Sequence, residues 1–142
     1  CPDYGNQGGA NDIVYQFING PNDIYVDISL CENITNYDCQ LYVYENNCNG
    51  SPVGCQEDGC QSPNYSALYN SRINAQYLNA NSTYYIVIDG YASNSNGAYQ
   101  LNINESIGLQ APDSTNIPLI IINTNKHFKI EIGLDRLALC VL

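Results

Sequence analysis

Apolar residues recur at every second position along most of the chain, in short runs separated by Asn, Gly, Pro and Ser. A period of two is that of a β-strand, whose successive side chains point to opposite faces. Residues 12–18 (DIVYQFI) read as the first strand. In 23–30 (DIYVDISL), Ile24, Val26, Ile28 and Leu30 share one face, opposite Tyr25, Asp27 and Ser29. In 40–45 (QLYVYE), Leu41 and Val43 point inward between Tyr42 and Tyr44. Residues 72–78 (RINAQYL) alternate Ile73, Ala75 and Tyr77. Residues 83–89 (TYYIVID) set Tyr84, Ile86 and Ile88 against Tyr85 and Val87, and 98–103 (AYQLNI) alternate Tyr99, Leu101 and Ile103. Two further strands are expected at 118–122 and 127–132, and 134–142 fits either a strand or a short helix. Strands at this spacing, with polar turns and no amphipathic helix between them, predict an all-β antiparallel sandwich.

Charge divides the chain. Of 142 residues, 14 are acidic and 4 basic, a net charge of −10. Residues 1–125 carry 12 acids against Arg72 alone, whereas 126–142 carry Lys126, Lys129 and Arg136 against Glu131 and Asp135. Four cations cannot build the clustered positive surface that phosphate recognition needs, so nucleic acid is excluded as a partner. No run of 18 apolar residues is present to span a bilayer. The first residue is not Met, which is expected of a chain released by processing or cut from a longer precursor. Seven Cys in a chain of this length predict disulfides and an oxidising compartment, secreted or at the cell surface.

Three stretches carry a resemblance: GGANDIVYQF (8–17), DISLCENITNYDCQLYVYENNC (27–48) with CQEDGC (55–60), and NSTYYIVIDGYASNSNGAYQLNI (81–103). In that order they resemble the pre-peptidase C-terminal type of bacterial β-sandwich module. The resemblance covers about residues 8–104. It implies a jelly-roll-like, non-catalytic module of secreted or surface proteins that accompanies other domains, sometimes with calcium. Two features depart from it. Cys39 stands where the family has Thr, and the chain beyond residue 105 has no counterpart. Residues 1–105 are therefore the expected module, and 106–142 an apolar C-terminal segment.

The turn-rich NGSPVG between Cys48 and Cys55 suits a local disulfide. The family pattern implies a Cys31–Cys60 pair. Cys1, Cys39 and Cys140 remain; Cys1 with Cys39 is the expected third pair, leaving Cys140 free or bonded to another chain. Zinc is disfavoured, because no C-x2-C occurs and His127 is the sole imidazole.

Asp38, Glu57, Asp58 and Asp89 fall in loops or at strand ends. If the sheets fold as the family's do, these carboxylates converge at one end of the sandwich and suit Ca²⁺, which accepts irregular oxygen ligation. The plainer reading is that they cap turns and solubilise loops. Five N-x-S/T sequons, at Asn33, Asn49, Asn64, Asn81 and Asn104, lie in expected loops or strand ends open to glycosylation.

No G-x-S-x-G, H-E-x-x-H, P-loop or G-x-G-x-x-G occurs, so the sequence predicts no enzyme. The apolar 117–122 and 128–142 are expected to form an edge strand that completes the sandwich or is donated to a neighbour. Head-to-tail donation would assemble a filament. The function expected is a structural or adhesive surface protein that self-associates or meets other surface proteins and glycans. The alternative is a carbohydrate- or protein-binding accessory module of a larger secreted enzyme.

Overall fold

The computed structural model describes residues 10, 12–61 and 68–106. They form seven strands: β1 Ile13–Ile18, β2 Ile24–Ser29, β3 Cys39–Glu45, β4 Gly54–Gln56, β5 Arg72–Leu78, β6 Thr83–Gly90 and β7 Asn102–Ser106. The described residues contain no helix. Every pairing is antiparallel, in a four-stranded sheet of order β1-β6-β3-β4 and a three-stranded sheet of order β5-β2-β7. The chain is all-β, as the alternation predicts. The strands expected at 118–122 and 127–132, and the division at 105/106, concern residues that lie largely or wholly outside the described ones.

The core lies between the sheets. Val26, Ile28 and Leu30 face Cys39, Leu41 and Val43, together with Ile73, Leu78, Tyr84, Ile86 and Ile88. Tyr15, Phe17, Tyr99, Leu101 and Ile103 close its margin, with the hydroxyls of Tyr15 and Tyr99 hydrogen-bonded to each other. Each fully buried aliphatic side chain here removes enough apolar surface from water to stabilise by about 1.5–3 kcal/mol. Ile28→Ala, at a position with no exposure, would cost about 2–5 kcal/mol through lost burial and the cavity left behind.

Two details depart from simple alternation. Between Ile28↔Ile73 and Val26↔Gln76, β5 carries one residue more than β2. The extra residue forms a bulge that Ala75 closes with φ 51°, and its N–H donates to Asp27 Oδ1 at 2.7 Å. Tyr77 is thereby aimed away from the core, whereas strict alternation would keep it level with Ile73. The other departure is β3, which is buried on both faces: Tyr42 and Tyr44 are buried, as are the inward Leu41 and Val43.

One disulfide, Cys31–Cys60, ties the sheets together at one end, with a Cα–Cα distance of 5.9 Å. Cys31 follows β2 of the three-stranded sheet. Cys60 lies between β4 and β5, where the chain crosses from one sheet to the other, and bridges Asn70. Asn70 is fully buried and donates from Nδ2 to the Leu30 carbonyl at 3.2 Å. Ser71 Oγ lies 2.5 Å from the Cys39 carbonyl oxygen and 2.7 Å from that of Glu57, so one hydroxyl joins the two sheets beside the disulfide.

Candidate functional site

The two sheets present very different outer faces. On the four-stranded sheet, alternation places Gln40, Tyr42 and Tyr44 of β3 and Tyr85, Val87 and Asp89 of β6 away from the core. The centre of this face is nonetheless enclosed: Val87 has no exposure, and Gln40 and Asp89 have 2 % and 3 %, whereas Gln16 and Ile18 at its β1 margin are exposed. Tyr42, Tyr44 and Val87 form a second apolar cluster with Val14, Cys48, Cys55 and Tyr85.

A polar row crosses this face. Gln40 pairs with Asp89, the Ile13↔Ile88 pairing sets Asp12 beside Asp89, and the Leu41↔Gln56 pairing sets Glu57 beside Gln40. The row runs Asp12, Asp89, Gln40, Glu57. Gln40 Nε2 donates to Glu57 Oε1 at 3.3 Å, and Tyr42 OH donates to Gln40 Oε1 at 2.9 Å. Asp12 and Asp89 are hydrogen-bonded carboxyl to carboxyl, which requires a proton on one of them. Burial, then this hydrogen bond and the charge of Asp12, push Asp89 up to about 7.

The four carboxylates expected to share a cation are thus not one set. Gln40 separates Asp89 from Glu57, and Asp89 turns to Asp12 instead. Asp38 keeps company with Asp58 and Glu57; burial first, and then their two charges, raise it to about 6. Among the described residues, no three Asp, Glu, Cys or His side chains come together to hold a metal ion. Asp12 was not singled out in the sequence, because its partner in β6 is far away in the chain.

Cys31 and Cys60 form the pair that the resemblance implies. Cys48 and Cys55 are each disulfide-bonded. Cys39 corrects the expectation of a Cys1–Cys39 bridge: it is a free thiol with no exposure. It shares the inward parity of Leu41 and Val43 and behaves as a small core residue. Burial pushes its thiol up to about 11, far from a reactive thiolate. Cys1, Cys140 and the sequon Asn64 lie outside the described residues. Of the other sequons, Asn33, Asn49 and Asn81 are exposed on loops, and Asn81 adopts φ 57°. Asn104 is exposed within β7.

The outer face of the three-stranded sheet is more open: Arg72, Tyr77 and Asn104 are exposed, and Tyr25, Asp27, Ser29, Asn102 and Ser106 are half-buried. The pairings form three rows: Tyr77, Tyr25 and Ser106; then Asp27 and Asn104; then Arg72, Ser29 and Asn102. The Tyr25 and Tyr77 rings have centroids 5.2 Å apart and are tilted by 56°. Tyr77 is 42 % exposed. Its hydroxyl donates to Asp23, which holds that phenol above its usual range. Asp23 is held below the usual carboxylate range, first by the Ala80 N–H and then by Tyr77. Along the edge, Gln100 Nε2 donates to Asn102 Oδ1 at 3.2 Å, and Asn102 Nδ2 donates to Glu32 Oε1 at 2.6 Å. The face is therefore an aromatic pair beside a ladder of carboxamides, its side chains oriented by hydrogen bonds.

In comparisons with known proteins, no family model, no curated protein and no solved structure matches this chain. None of the described residues belongs to a helix long and apolar enough to cross a membrane.

Proposed function

We propose that the chain is a non-catalytic recognition module, working in an oxidising environment at the cell surface or beyond it, where it holds its parent protein to its surroundings. The observation that carries this reading is the contrast between the two outer faces. The four-stranded sheet buries Gln40, Tyr42, Tyr44 and Asp89 at the centre of its outer face. The three-stranded sheet exposes Tyr77 and Asn104 beside the half-buried Tyr25 and Asn102. Tyr supplies large contact area with a polar tip, the chemistry enriched where proteins meet partners.

Three further points support it. The Cys31–Cys60 disulfide fits an oxidising compartment. Asp89 and Cys39, whose acidity burial perturbs, are enclosed, with 3 % and no exposure. The resemblance of residues 8–104 to modules of bacterial surface proteins points the same way.

The test is made on intact cells of the source organism. An antibody to the module should label them, or their secreted material, without permeabilisation. Rapid alkylation followed by mass spectrometry should find Cys31 and Cys60 oxidised. Reduced Cys31 and Cys60 in an unlabelled, intact cell would overturn the reading.

A further inference from the structure

We infer that the face made by Tyr25, Tyr77, Asn102 and Asn104 binds an uncharged polysaccharide chain. The inference rests on the recognition role proposed above and names the ligand class for that face. The aromatic pair supplies ring surface for a sugar. Tyr25 and Tyr77 are directly paired residues on adjacent strands, their rings 5.2 Å apart and tilted by 56°, with Tyr77 exposed and Tyr25 half-buried. Ring faces carry partial negative charge and attract the polarised C–H bonds of a sugar ring. Tyr77 cannot swing freely, because its hydroxyl is tied to Asp23 and Asp23 in turn accepts from the Ala80 N–H at 2.8 Å.

The carboxamide ladder supplies hydrogen-bonding groups. Asn102 and Asn104 alternate along one face of β7, about 7 Å apart, as next-but-one strand residues are. A carboxamide presents a donor and an acceptor together, which suits adjacent hydroxyls on a sugar. Asn102 is held by Glu32 and Gln100, while Asn104 is exposed beside the Tyr25 row. An extended polymer lying across β2 and β7 would meet rings at one end and amides at the other.

Charge favours a neutral partner. Asp23, Asp27 and Glu32 lie on or beside this face against a single cation, Arg72, which stands in its outermost row and is the only Lys or Arg among the described residues. Anionic polymers would be repelled, and nucleic acid with them. A partner that is hydroxyl-rich and neutral meets no such penalty. Asn104 also heads a sequon, so a glycan attached there would sit on the binding face itself.

The experiment uses the whole chain, with Asn104 shown by mass to be unmodified. Retention is measured on cellulose, chitin and mannan as neutral polymers and on alginate and heparin as anionic ones. Binding to at least one neutral polymer and to neither anionic one is expected. Tyr77→Ala should weaken it about tenfold. Asn104→Arg, which sets a bulky side chain on the face without touching the core, should abolish it. Tyr91→Ala, at an exposed tyrosine elsewhere, should leave it unchanged. Thermal melts confirm that each variant folds, and Asn104→Arg decides the matter if Tyr77→Ala does not. Retention on no neutral polymer, or retention that survives Asn104→Arg, would overturn the inference. Adhesion to protein surfaces alone would also overturn it, while leaving the recognition role intact.

Discussion

Tyr25 and Tyr77 are paired residues of adjacent strands whose rings meet at 5.2 Å on the solvent side of the three-stranded sheet. They can do so because the bulge at Ala75 resets the register of β5 between Ile73 and Tyr77. Cross-strand aromatic pairs contribute about 0.5–1 kcal/mol. A double-mutant cycle of Tyr25→Ala and Tyr77→Ala, followed by urea unfolding, should show a coupling of about that size. Additive losses would mean that the rings do not interact.

The bulge itself depends on Asp27, whose carboxylate accepts from the Ala75 N–H. Asp27→Ala leaves that N–H without its partner, and a charge-assisted hydrogen bond is worth about 1.5–3 kcal/mol. The position is solvent-accessible, so a loss of about 1–2 kcal/mol is expected, with Asp27→Asn recovering part of it. Chemical denaturation of the two variants measures this directly.

Acidity at Asp89 gives stability a pH dependence of definite sign. The folded protein keeps this carboxyl protonated up to about 7, whereas in the unfolded chain it ionises near the ordinary aspartate value of about 3.9. Between these values the folded state holds a proton that the unfolded state has released. Stability from this group is therefore complete below about pH 4, falls as pH rises, and levels off above about 7. Asp38, raised to about 6, adds a slope of the same sign over the lower part of the window. Asp23 and Glu45 are shifted downward and act only below it. Melting temperature should fall by several degrees between pH 5 and pH 8. Asp89→Asn, which can still donate to Asp12, should remove most of that fall and melt higher than wild type at pH 8.

The staple between the sheets closes a sequence separation of 29 residues. By loop-closure entropy, replacing both cysteines with Ser should cost about 3.5 kcal/mol. The variant Cys31→Ser with Cys60→Ser leaves Cys48 and Cys55 untouched, so the loss belongs to this bond alone. Equilibrium unfolding under non-reducing conditions gives the number.

Cys39 should resist alkylation in the folded protein and react once it unfolds, because its thiol is fully enclosed and its acidity is suppressed to about 11. Peptide mapping after iodoacetamide treatment, with and without denaturant, reads this site separately from the other cysteines. Modification at native pH at the rate of a free thiol would contradict the burial.

Much of the fold was legible because apolar alternation is a direct consequence of strand geometry. The cores of β2, β3 and β6 follow from it, and so does the inward parity of Cys39, which the abundance of cysteine obscured. β4 was missed because Gly54–Gln56 is only three residues long, with no alternation to detect. β7 runs later than the apolar pattern of Tyr99, Leu101 and Ile103 suggests, since its length is set by pairing with β2 rather than by its own side chains. The bulge at Ala75 leaves no trace in its own strand; its cause is a carboxylate on the neighbouring one. For the same reason the Asp12–Asp89 pair could not be foreseen. It exists only because β1 and β6, distant in sequence, lie side by side. The solvent face of β2 was visible as Tyr25, Asp27 and Ser29, but the partners that complete it come from β5 and β7. Polar and aromatic residues on β3 suggested an open face, yet Gln40, Tyr42 and Tyr44 are buried, which alternation alone does not encode.

The central claim is that the outer face of β5-β2-β7 is the working surface. Its most direct test is the adhesion of beads coated with the whole chain to polysaccharide- and protein-coated surfaces under flow, comparing wild type with Asn104→Arg. Wild type is expected to adhere and the variant is not, although its melting temperature is unchanged. Undiminished adhesion by a folded Asn104→Arg chain would contradict the claim.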